Sequence, residues 1–298
     1  MQQKRIRRLR LITEKIIGLP TLPTIVTQLI ALVGDPKSSA RQVAQLISTD
    51  QALTAKILRV ANSAFYGFPR KIATVQLAIV VLGFEAVKNL ALSVTVLKRF
   101  TSGREHRLFD RQRFWEHAIG CAVAGRHLAR KLRFRIEAEA FVAGVLHDIG
   151  KLILIEYFPD DFSEALELAE SEEMTISEAE EQVLGVTHAE VGGWLAERWN
   201  LPPDLVGAIT YHHQPDAMKN PDLSKDLVLL VHTANAMVRH RGIGDSGDQQ
   251  GFRLDPGISQ RLKRDSDVSD EALLDILGDG LEAEMEKAQV FQDLGGEG

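Results

Sequence analysis

Apolar residues recur at spacings of three and four along almost the whole chain. Leu22, Ile25, Val26, Leu29, Ile30 and Val33 define one face of a helix that Asp35 and Pro36 stop. Ser39 and Gln42 have the spacing of a capping box, which predicts a helix burying Val43, Leu46 and Ile47. Asp50 suits the cap of the next, with Leu53, Ile57, Leu58 and Ala61 on one face and Gly67 and Pro69 after its end. A short helix over 74–82 closes at Gly83, and another follows over 84–100. The polar stretch 101–109 contains Gly103 and reads as a joint. Three strongly patterned helices are expected near 110–132, 137–157 and 160–171. Thr175 with Glu178, and Thr187 with Glu190, repeat the capping-box spacing. The second of these opens a helix through Trp199. Pro202 and Pro203 fit the first turn of a helix that Pro215 ends, and a further helix is expected near 223–240. Residues 242–257 read as a Gly/Asp-rich loop, and 268–294 as a helical acidic tail. No sustained alternation of period two interrupts this, so the predicted class is all-α.

The chain has 298 residues, 45% hydrophobic and 26% charged, which excludes global disorder. Its net charge of −6 conceals a division. Residues 1–103 hold 15 Lys and Arg against 4 Asp and Glu, residues 104–252 hold 15 against 25, and the remainder 5 against 12. The arm KRIRRLR carries Lys4, Arg5, Arg7, Arg8 and Arg10 but no aromatic residue for stacking on bases or anchoring in a bilayer. Neither a nucleic-acid nor a membrane partner is expected from it. Docking on the body of the protein or on a partner fits its amphipathic pattern better. No apolar run reaches the length of about 18 residues that a membrane span needs. Glu14 and Lys15 interrupt the apolar stretch after the arm, against a signal peptide. The lone Cys121 has no partner for an internal disulfide, and a cytoplasmic location is expected. It lies in the apolar run AIGCAVAG and reads as a small buried filler.

The candidate chemistry is histidine-rich. FVAGVLHDIGKLILI places His147 and Asp148 inside an apolar helix, with Lys151 one turn on. A charged trio there is costly unless paired or metal-bound. A buried His-Asp-Lys network and a metal centre are both open on this helix alone. His117 in FWEHAIG, His188 after Thr187, and His212 with His213 before Pro215 add imidazoles from other helices. Imidazoles with one carboxylate suit Fe, Mn, Zn or Ni.

The ordered set His117, His147-Asp148, His188, His212-His213 resembles the HD superfamily of metal-dependent phosphohydrolases. HDIGK also matches the branch that cleaves cyclic dinucleotides. The resemblance implies that Asp148 bridges two metals. His117 and His147 would serve one, and His188, His212 and His213 the other. Lys151 would contact a substrate phosphate. The distal Asp of that pattern is replaced: HTANA has Asn235, a weaker neutral oxygen ligand. Arg113 stands one turn before His117 where a trinuclear site wants Glu, and DAMKNPD rather than a Gly-Tyr-Pro segment follows HHQP.

The first hundred residues are more specific. The LPTLP start, ISTDQALTAKILRVANSAFYG and AIVVLG resemble the HDOD family, HD-related output domains. With the HD part, the resemblance covers residues 16–240. It implies a multi-helix HD-like bundle with an N-terminal HDOD-specific helical subdomain. The expected division is a basic arm over 1–15, the HDOD-specific part over 16–103, the HD-like part over 104–241, and a loop and acidic tail over 242–298.

Two functions follow from the resemblance. The first is a bacterial signal-transduction protein, metal-binding at a degenerate HD site and acting through protein partners, with self-association open. The second is a phosphohydrolase acting on a nucleotide or phosphodiester, with Asp148 and Lys151 as catalytic residues. Either takes one or two divalent ions (Fe, Mn, Ni or Zn) and no organic cofactor.

Overall fold

A computed structural model of the chain describes residues 21–35, 37–100, 106–248, 254–262 and 268–296. The basic arm and residues 101–105 lie outside them. Among the described residues there is no β-strand, only an isolated bridge between His106 and Phe109. The N-terminal part comprises α1 (Thr24–Gly34), α2 (Ala40–Ser48), α3 (Gln51–Ala61), α4 (Val75–Leu82) and α5 (Phe84–Phe100). Local chemistry sets these boundaries. Ser39 and Gln42 form the capping box of α2, and the Asp50 carboxylate accepts the Leu53 amide at 2.9 Å to start α3. Asn62 closes α3: its amide donates to the Leu58 and Ile72 carbonyls, and its Oδ1 accepts the Ile72 amide. Gly83, at φ +91°, turns α4 into α5 through 120°. Lys88 departs from the solvated role its type suggests. It is buried and paired with Glu85 one turn earlier.

The second part is built on α6 (Arg111–Lys131), which Asp110 caps. α7 (Glu137–Leu146) packs along α6 and also touches α5, joining the two parts. The single helix expected over 137–157 is in fact two. Asp148 has φ −98° and ψ 9°, and the chain restarts as α8 (Ile149–Tyr157). α9 (Pro159–Ser171) and α10 (Ile176–Val183) form a hairpin. α11 (His188–Arg198) packs on α8 and on α12 (Pro203–Tyr211), and α13 (Lys225–His240) crosses α6, α7 and α12. Both later capping boxes, Thr175/Glu178 and Thr187/Glu190, are formed.

The acidic C-terminal segment is helical in short pieces. These are α14 (Pro256–Leu262), α15 (Asp270–Leu277), α16 (Leu281–Lys287) and α17 (Gln289–Gly296). α16 rests on α6, and α17 on α3, α5 and α6. Phe291 is fully buried, 5.1 Å from the Phe65 ring and 4.7 Å from that of Phe141. The segment therefore completes the core between the two parts. No single described helix is long and apolar enough to cross a membrane.

Candidate metal centre

The break between α7 and α8 places two adjacent side chains at one point. His147 and Asp148 stand about 100° apart on a continuous helix. Out of helical register, both face the space enclosed by α6, α11 and α12. His117 enters from α6, His188 from the first residue of α11, and His212 and His213 from the end of α12. His117, His147, Asp148, Lys151, His188 and His212 are each at most 1% exposed. His213 is half-buried and forms the edge.

Asp148 is the centre of the arrangement. Its Oδ1 lies 3.1 Å from His188 Nε2 and 3.4 Å from His212 Nε2. Its Oδ2 lies 3.4 Å from His147 Nε2, 3.9 Å from His117 Nε2 and 2.7 Å from Lys151 Nζ. The potential ligand atoms form two groups, each within 4.8 Å: Asp148, His188, His212 and His213, and His117, Cys121 and His147. His188, His212 and His213 thus lie on one side and His117 and His147 on the other, and the two oxygens of one carboxylate face the two groups.

The far side of each ring explains why the near sides converge. His147 Nδ1 donates to the Gly144 carbonyl at 2.8 Å, and His212 Nδ1 to the Ile209 carbonyl at 2.7 Å. A carbonyl only accepts, so these rings carry their proton on Nδ1 and turn a bare Nε2 lone pair inward. His117 is held by a backbone hydrogen bond with Ile243. His188 Nδ1 donates to Glu180 Oε2 at 2.7 Å, and the same oxygen accepts the His188 amide at 2.8 Å. Glu180 is fully buried, unlike the solvated acidic hairpin that its stretch of sequence suggests. Such partners orient metal-ligating histidines.

The donor set fits a cation. His147 Nε2, His212 Nε2 and Asp148 Oδ1 are buried without a hydrogen-bond partner. His188 Nε2 and His213 Nε2 face each other at 3.0 Å. One ring proton bridges that pair, whereas the bare His147 and His212 nitrogens and the carboxylate oxygen beside them are left for a cation to satisfy. Burial pushes His117 down to about 4 and holds His147 and His213 well below the ordinary imidazole range, so these rings are neutral donors. Burial acts the same way on His188, but the Glu180 charge outweighs it and raises that ring. Burial alone would raise the Asp148 carboxyl. Neighbouring His147 and the Lys151 ammonium outweigh it and keep the carboxyl well below its usual range.

The remaining residues divide clearly. Lys151 is buried and paired with Asp148. Asn235 is buried on α13, with Oδ1 lacking a hydrogen-bond partner. His232, in the same HTANA segment, is satisfied on both sides by the His212 carbonyl and the Asp255 amide, which makes it structural. Arg113 points to the loop after α13 and donates to the Gly244 carbonyl. Gly244, at φ +66°, lies so close to the His117 backbone that a Cβ there would collide with it. Cys121 is buried as expected, but its Sγ lies 3.5 Å from His117 Nε2. Glu180 and Cys121 are the members that sequence reasoning missed. The spacing of four from His117 was the available signal for Cys121.

The HDOD domain model matches residues 19–215. The chain belongs to the HDOD family. A crystal structure of an HDOD domain protein of unknown function from Geobacter sulfurreducens is 28% identical. It superposes with a TM-score of 0.76 over 97% of this HDOD chain and 98% of that one. A candidate signal transduction protein from Marinobacter aquaeolei VT8 is 23% identical, with a TM-score of 0.71 over 96% of this chain and 65% of that one, a likeness of fold. Among curated proteins, an uncharacterised protein of Treponema pallidum (strain Nichols) is 26% identical over 230 residues. The HDOD chain spans 44% of that relative's length.

Proposed function

We propose that this HDOD chain is a signal-transduction module that holds a divalent ion in its His-Asp centre and acts through protein partners rather than by turnover. The observation that carries the reading is Asp148, fully buried, with its two oxygens facing two groups of inward-turned imidazoles. His117, His147, Asp148, His188, His212 and His213 are its proposed ligands, with Asn235 a weak neutral addition from α13. Enclosure favours a structural ion, since structural metal sites are closed and catalytic ones keep an open position. Lys151 points the same way: its ammonium is spent on Asp148 Oδ2 inside the core. The ligands come from α6, the α7–α8 junction, α11 and α12, so one ion ties distant segments together. Fe, Mn, Ni and Zn all suit such ligands. A cytoplasmic location accords with a single unpaired cysteine. The division into an arm, an HDOD-specific part over 16–103, an HD-like part over 104–241 and a C-terminal segment belongs to the same reading.

One observation favours the alternative, a metal-dependent phosphohydrolase: half-buried His213 leaves the His188 side of the centre at the surface. A bound ion would there polarise water and phosphate oxygen. The test is elemental analysis of the purified chain together with turnover of a panel of nucleotides and phosphodiesters. Bound metal without turnover is expected. Metal-dependent turnover would establish the hydrolase, and a chain that takes up no metal would leave a buried ion-pair network.

A further inference from the structure

The two halves of the proposed centre differ in donor chemistry. The half facing Asp148 Oδ1 has three imidazoles. The other has His117, His147 and a thiol. Cys121 follows His117 by four residues on α6, so the two share a face, and Sγ stands 3.5 Å from His117 Nε2. His147 turns a fully buried, unpartnered Nε2 toward the same point. No carboxylate belongs to this half alone. Asp148 Oδ2, the acidic oxygen facing it, is already held by Lys151 at 2.7 Å.

We propose that Cys121 is a metal ligand, and that His117, Cys121 and His147 form a soft half-site selective for zinc or a similarly thiophilic divalent ion. The proposal rests on the metal-centre reading above and specifies it. Charge supports the assignment. With every imidazole neutral, as ligation requires, the buried charges of the centre are Asp148 and Glu180, negative, and Lys151, positive, which leaves a net −1. One divalent ion makes this +1, and uncompensated charge is costly in such a place. Ligation by Cys121 releases the thiol proton to solvent and returns the cluster to neutrality. Arg239, the other cation acting on His117, is balanced by Asp248 at 2.9 Å. Thiolate donors also sort metals, favouring zinc over manganese or magnesium.

Cys121 is the only cysteine in the chain, so any thiolate-to-metal signal must come from it. The full chain loaded with Co(II) should show an intense near-ultraviolet charge-transfer band that Cys121→Ser abolishes. Zinc retention against a competing chelator should fall about tenfold or more in that variant. Bound Co(II) with only d–d bands would overturn the proposal while leaving the metal centre standing. A chain that takes up neither Co(II) nor zinc would overturn both. Should Cys121→Ser fail to fold, X-ray absorption of the zinc-loaded wild type decides. A sulfur neighbour at about 2.3 Å supports the ligand, and a shell of nitrogen and oxygen alone refutes it.

Discussion

Asp148 and Lys151 hold opposite charges 2.7 Å apart in an apolar interior, each at most 1% exposed. Their stability contribution and their role toward a metal are separable. Asp148→Asn keeps the shape but leaves the Lys151 ammonium buried and unpaired, a loss of about 3–5 kcal/mol. Adding Lys151→Met removes that stranded charge and should recover most of the loss in urea unfolding. Metal content should stay low in both variants, because the carboxylate shared by the two histidine groups is gone. A double variant that unfolds like wild type and still retains metal would remove Asp148 from the ligand set. Glu180 shows the limit of reading residues singly. It sits among ten carboxylates in residues 160–181 that have no Lys or Arg, so its type and neighbours suggest solvent. Only the position of His188, eight residues on and in another helix, gives it a buried partner.

At the scale of elements, the decisive feature is the interruption between α7 and α8. It aims His147 and Asp148 at one point, and Gly150 then allows α8 to approach α11. A Cβ at Gly150 would collide with the His188 carbonyl. Gly150→Ala should therefore cost about 1–3 kcal/mol. It should also weaken metal retention by about tenfold, since it displaces Asp148 from His188. Gly34→Ala on α1, where nothing lies within 4 Å of an added methyl, is the control. It should be neutral or stabilising by up to about 1 kcal/mol in the same melts. Equal effects at both sites would show that helix propensity, not the close approach, governs Gly150. The starts of α2, α3, α10 and α11 were legible in the sequence because a capping side chain acts within three residues of itself. The interruption was not. Leu146, His147 and Asp148 include no glycine or proline, and the apolar period runs on through Ile149 and Leu152. The break is stabilised by tertiary partners that no local window contains. The histidines could be collected in order from the sequence, while Cys121, in an apolar run, had only its spacing of four from His117 to set it apart.

At the scale of the molecule, the C-terminal helices are tied to the body by a local cluster of basic residues and, from the basic N-terminal part, by Arg59. The basic end of α6 receives the acidic C-terminal helices. Arg130 pairs with Glu284 at 3.0 Å, Lys131 donates to the Ile276 carbonyl at 2.6 Å, and His127 bonds the Leu277 carbonyl. Arg59 on α3 reaches Asp293 at 3.6 Å. These pairs are largely exposed and individually weak, so they set register rather than strength. Strength comes from Phe291, buried between Phe65 of the N-terminal part and Phe141 of α7, with Arg126 stacked 3.9 Å above Phe65. Phe291→Ala removes a ring that both parts close around and should cost about 3–5 kcal/mol in chemical denaturation. The ring contacts of Phe291 are with Phe65 and Phe141, neither of them a proposed metal ligand, so metal content in the folded variant should match wild type. Chelation should do the reverse. It lowers the melting temperature of the metal-loaded chain, by the equivalent of about 2.7 kcal/mol where free metal had stood at a hundred times its Kd, and leaves Phe291 packed. If Phe291→Ala also emptied the metal centre, the C-terminal closure and the centre would form one cooperative unit rather than two independent ties between the halves.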